Sequence, residues 1–202
     1  DALPQFSNLD IVNVNWPAVI DPVSGTNNYS VYRCEVTSST LTCAPATLLG
    51  STNATGFNDT SVKVDDTKYF YAVKTQDNAG LVIISSNIVS VIVDKNGPLP
   101  PSLFAISPSG FIKNLPAVLN WSAATDPGVL ASGVAFYKVY RDIVSGSLVI
   151  LNPNVGNVLT YSDAALSEAV KYFFKVAAQD KAGNPGGVSN EVDVTLDTAT
   201  PS

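Results

Sequence analysis

Apolar and polar residues alternate in short runs along this chain and almost nowhere fall at helical spacing. Ile11-Val-Asn-Val-Asn-Trp16 alternates with period two. So does Tyr29-Ser-Val-Tyr-Arg33, which puts Tyr29, Val31 and Arg33 on one face of a strand. Tyr69, Tyr71 and Val73 share a face in the next long run, and residues 87–94 form another. The second half repeats the order over residues 117–121, 134–141, 147–152, 159–163, 170–178 and 188–196. Gly, Pro, Asn and Asp separate the runs, as turn residues separate strands. Short, evenly spaced strands without helix signals predict an all-β chain of sandwich domains.

The two halves carry the same landmarks. Trp16 and Asp21 return as Trp121 and Asp126, 105 residues later. Tyr29-x-Val31-Tyr32-Arg33 returns as Tyr137-x-Val139-Tyr140-Arg141, and Tyr69 with Gln76-Asp77 returns as Tyr172 with Gln179-Asp180. A period near one hundred residues is a tandem of whole domains, because solenoid units run only ~20–50 residues. The expected boundaries are 1–97 for the first domain with its linker and 98–202 for the second. Pro98, Pro100 and Pro101 make the linker after Asp94 stiff and extended. The segment from Asp197 through Pro201 repeats it, and the opening Asp1-Ala-Leu-Pro4 echoes both, so the chain reads as a piece of a longer protein.

Composition narrows the class. Hydrophobic residues make up 46% and charged residues 14%, too apolar for a disordered chain. No apolar run approaches the ~18–20 residues of a membrane-spanning helix. A net charge of −6 argues against nucleic acid as a partner. There is no His, and no nucleophile elbow, phosphate-binding loop or dinucleotide fingerprint, so the segment is expected to have no catalysis of its own. Cys34 and Cys43 stand near the ends of neighbouring strands in one hairpin and are expected to bridge, which favours an oxidising compartment. The second half has no cysteine, so the bridge is a local staple.

Each half resembles a fibronectin type III domain of the bacterial extracellular kind. The resemblance lies in Trp16 and Trp121 in strand B, Tyr29 to Arg33 and Tyr137 to Arg141 in strand C, Tyr69 and Tyr172 in strand F, and the Asp-x-Ala-Gly turns at Asp77 and Asp180 before strand G. It covers nearly the whole chain and departs at Leu81, where the turn's Asn would stand. The resemblance implies two seven-stranded Greek-key sandwiches, with these aromatic residues in their cores. It also implies a non-catalytic role at the cell surface or outside the cell, as rigid spacer, adhesive stalk or accessory module of a glycan-degrading enzyme. Partners would be neighbouring domains of the same parent chain, a surface protein or a polysaccharide, and an isolated fragment would be a monomer.

Two places could bind something. In such a fold the B–C and F–G loops gather where the chain enters the domain, which would bring Asp94, Asp126 and Asp180 within reach of a Ca2+ ion. The Asp197-Thr-x-x-Pro201 linker also resembles calcium-binding linkers of large bacterial adhesins. The alternative is that these carboxylates hold their own turns. Leu81, Val82, Ile83 and Ile84, with Val129 and Leu130, are apolar loop residues expected to make contacts with a neighbouring domain or a ligand.

Overall fold

A computed structural model describes residues 3–38, 40–61, 64–84, 87–103 and 110–200. The opening Asp1-Ala2 and the closing Pro201-Ser202, both part of the linker reading, lie outside the described residues, as does the side chain of Ile84. Every described regular element is a strand. The chain divides into two compact units, one of Asp1–Lys95 with Gly128–Ser132, the other of Asn96–Pro127 with Gly133–Ser202.

Unit 1 contains β1 (Phe6–Ser7), β2 (Val12–Asn15), β3 (Thr26–Val36), β4 (Thr47–Thr52), β5 (Gly56–Asp59), β6 (Thr67–Asp77), β7 (Val82–Ile84) and β8 (Val89–Val93). The large sheet runs β1-β8-β6-β3-β4 with β7 also on β6, and β2 pairs with β5 in a second, two-stranded sheet. Alternation decides which side chains go inside: Val12 and Val14 are buried while Asn13 and Asn15 face out. From the large sheet, Tyr29, Val31, Tyr69, Tyr71, Val73, Val91 and Val93 complete the core.

Unit 2 contains β9 (Gly110–Ile112), β10 (Ala117–Asn120), β11 (Val134–Asp142), β12 (Ile150–Asn152), β13 (Thr160–Asp163), β14 (Lys171–Asp180), β15 (Pro185–Val188) and β16 (Val192–Leu196). Its sheets are β12-β11-β14-β16-β9, with β15 on β14, and β10-β13. Its core is built on Trp121, Tyr137, Phe174, Leu119, Val139 and Val176. In both units the strand-B tryptophan tilts against the strand-C tyrosine, with ring centroids 5.4 Å apart for Trp16–Tyr29 and 5.5 Å for Trp121–Tyr137. Each tyrosine hydroxyl accepts a backbone N–H from the B–C loop, of Val19 in one unit and Ala124 in the other.

One predicted strand is two. Residues 188–196 do not run as a single strand, because the chain leaves the sheet between β15 and β16. There the Ser189 hydroxyl accepts the N–H of Val176, and the Asn190 side chain bonds both backbone groups of Leu103. Side chains thus take over bonds that a continuous ladder would make. Unit 1 is split at the same place, between β7 and β8.

Each unit also holds an ion pair between a part-buried arginine and a buried aspartate. Arg33 Nη1 lies 2.7 Å from Asp59 Oδ2, and Arg141 Nη1 lies 2.7 Å from Asp163 Oδ2. The Tyr71 hydroxyl donates to Asp59 at 2.9 Å. Unit 2 has Phe174 at the corresponding position, and Arg141 there donates instead to the Ala165 carbonyl. Burial alone would raise the pKa of Asp59, but hydrogen bonds from Ser61, Arg33 and Tyr71 outweigh it and hold the carboxyl below its ordinary value. Burial and the Asp59 charge push Tyr71 upward, so it stays protonated.

Candidate binding surfaces

Of the predicted carboxylates, Asp94 and Asp180 are buried and Asp126 is half-buried. In unit 2, Asp126 Oδ2 accepts the Gly133 N–H at 2.6 Å. Asp180 accepts the backbone N–H of Asn184 on Oδ1 and its side-chain amide on Oδ2, both at 2.7 Å. A carboxylate oxygen of Asp126 and one of Asp180 lie within 4.8 Å of each other, and Asp180 is only 2% exposed. Asp94 belongs to unit 1, where it is 2% exposed and accepts the Ser132 N–H at 2.7 Å. Unit 1 holds the counterparts of the first pair. Asp21 accepts the N–H groups of Val23 and Ser24, and Asp77 accepts that of Leu81. Backbone bonds from Ser24 and Val23 keep Asp21 below the ordinary carboxylate range.

The apolar loop residues fall into two sets. Leu81, Val82 and Ile83 are 69%, 55% and 65% exposed, and Val82 to Ile84 form β7 rather than a loop. With Val19, Ile20 and Pro22, Leu81 and Ile83 line a pocket of about 260 Å³ in unit 1, whose lining also includes Asp21 and Asp77. Val129 is 70% exposed whereas Leu130 is 3% exposed, and Asp66 accepts the N–H of both within unit 1.

The corresponding edge of unit 2 is built differently. Gly186 and Gly187 stand where unit 1 has Ile83 and Ile84. The Gly187 N–H donates to the Pro98 carbonyl, so the proline-rich segment lies along β15. A Cβ at Gly186 would sit 2.6 Å from that carbonyl oxygen, and one at Gly187 2.5 Å from Pro100 Cγ. Only glycine permits so close a backbone approach.

The outward faces of the large sheets differ in charge. In unit 1 the cross-strand rows read Ser51–Ser30–Lys74, Leu48–Tyr32–Ala72, Cys34–Phe70–Ser90 and Val36–Lys68–Ile92. No carboxylate occurs among them. Lys74 Nζ lies 4.4 Å from the Tyr32 ring centroid and Lys68 Nζ 5.0 Å from that of Phe70. Cys34 is bridged to Cys43 with its Cα atoms 6.2 Å apart, which ties the loop after β3 to this face. In unit 2 the face carries acids as well, and Lys171 pairs with Asp193 at 3.0 Å and Lys175 with Glu191 at 3.2 Å.

No family model matches the chain. Exoglucanase B of Cellulomonas fimi is 32% identical over 200 residues, a stretch that covers 95% of this chain and 16% of that enzyme. Chitinase A1 of Niallia circulans is 29% identical over 189 residues, covering 91% of this chain and 23% of that one. The chain therefore spans less than a quarter of the length of either relative. Among solved structures, titin domains A168–A170 superpose over 97% of this chain and 62% of theirs, with a TM-score of 0.61 at 17% identity.

Proposed function

The chain folds as a tandem of fibronectin type III domains, and from that premise we propose that it is a non-catalytic spacer and accessory segment of a larger, extracellular polysaccharide-degrading enzyme. The observation that carries this reading is the lopsided coverage: 95% of the chain matches 16% of an exoglucanase. A segment of that share, folded as two sandwiches with Trp16, Tyr29, Tyr69, Tyr71, Trp121 and Tyr137 turned into the cores, suits spacing better than chemistry. The Cys34–Cys43 bridge supports an oxidising, extracellular setting. The neighbouring domains of the parent chain are its first partners. The parent gene gives the test. It should encode a glycoside-hydrolase catalytic domain beside this segment, and a parent without one contradicts the reading.

A second reading adds calcium. Two carboxylates within 4.8 Å repel each other unless a cation or a proton offsets them, and Asp126 and Asp180 form such a pair in unit 2. Calcium bound there only in the folded state would stabilise unit 2 by about 2.7 kcal/mol at a hundredfold excess over Kd. Melting the chain in calcium and then in chelator should shift the unit 2 transition upward by several degrees. The shift should vanish in Asp126→Asn/Asp180→Asn. Equal midpoints in both buffers would leave the pair as turn-holding carboxylates.

A further inference from the structure

One face of unit 1 is set apart by charge. The protein carries 17 acidic and 11 basic side chains. Yet the outward rows of the β4-β3-β6-β8 sheet hold Lys68 and Lys74 and no carboxylate. The nearest acid on β3, Glu35, lies opposite Tyr69, on the inward-facing phase of the strand, and pairs with Arg33 at 3.3 Å. Neither lysine forms an ion pair among the described residues, whereas Lys171 and Lys175 of unit 2 are both neutralised. The ammonium of Lys74 is instead seated over the Tyr32 ring, which holds the cation in place without cancelling its charge.

We infer that this face binds a strand of acidic polysaccharide. Lys68 and Lys74 would pair with its carboxylates, while Tyr32 and the 53%-exposed Leu48 underlie its rings. The backbone positions of Lys68 and Lys74 are six residues apart on one face of β6, about 20 Å along the strand, and their ammoniums sit over Phe70 and Tyr32 in the rows between, so a chain laid along the strand meets both. In the same cross-strand row as Lys74 lie the hydroxyls of Ser30 and Ser51, which bond each other at 2.9 Å and can turn to sugar hydroxyls. The choice of a polysaccharide over an acidic protein rests on the reading of the segment as part of a polysaccharide-degrading enzyme. The positive face itself does not.

Native electrophoresis through gels containing polygalacturonate, or neutral hydroxyethyl cellulose, tests the inference on the whole chain. Polygalacturonate should retard the protein, less so as salt rises. Lys68→Gln/Lys74→Gln should weaken the affinity at least tenfold while melting as the parent does. Lys113→Gln/Lys181→Gln, which removes the same charge from exposed positions of unit 2, should leave it unchanged. Should the first pair melt early, the single substitutions carry the test, each expected to cost several-fold. Equal loss in both double variants, or no retardation by polygalacturonate, overturns the inference. Retardation by the neutral polymer alone also overturns it but leaves the accessory-segment reading standing.

Discussion

Asp59 and Asp163 are each 3% exposed, and each is made tolerable by one guanidinium. Removing such a partner strands a buried charge, so Arg33→Ala should cost unit 1 about 3–5 kcal/mol in a denaturant titration. Tyr71→Phe should cost only about 1 kcal/mol, since it removes one of several bonds to Asp59 and installs the residue that unit 2 already uses. The folded-state pKa of Asp59 is depressed. Its contribution is therefore complete above the unfolded carboxylate value of about 4 and is lost as pH falls through the lower folded value. Melting profiles at pH 6 and pH 3 should fall less steeply for Asp59→Asn than for the parent, and equal slopes would remove Asp59 as a source of acid sensitivity. Arg33 itself is legible in the sequence as the charged member of an otherwise apolar face. Its partner is not, because Asn58-Asp59-Thr60 reads as a polar turn, and only the pairing of β2 with β5 turns Asp59 inward.

At the scale of elements, the strands were legible wherever alternation was clean, and the local bridge was legible because Cys34 and Cys43 close a short hairpin. The break between β15 and β16 was not. Residues 188–192 carry no Gly or Pro to mark a stop between the flanking valines, and the Ser189 and Asn190 side-chain bonds divert the chain there. Cys34→Ser/Cys43→Ser should lower the stability of unit 1 by about 2–3 kcal/mol by loop entropy and leave the unit 2 transition in place. Gly187→Val should do the reverse, costing unit 2 about 1–3 kcal/mol by forcing Pro100 off β15. The carboxylate-free face of unit 1 could not be found from sequence spacing alone. It exists only once the register places Ser30 beside Lys74 and Cys34 beside Phe70.

For the whole molecule, the repeat announced two domains, and two separate cores bear that out. Function was less legible, because the proposed spacer role leaves no catalytic residues to read and its proposed partners would lie in other parts of a parent chain. Asp94, Asp126 and Asp180 stood out as possible ligands, yet each accepts a backbone N–H within its own unit, a role that turn chemistry shares with metal binding. The most direct measurement is to delete this segment from the proposed parent enzyme. Turnover of a soluble oligosaccharide should be unchanged, while release of sugar from the insoluble polymer falls several-fold. Loss of activity on the soluble substrate would place the segment in the catalytic machinery and contradict the account, and so would undiminished activity on the polymer.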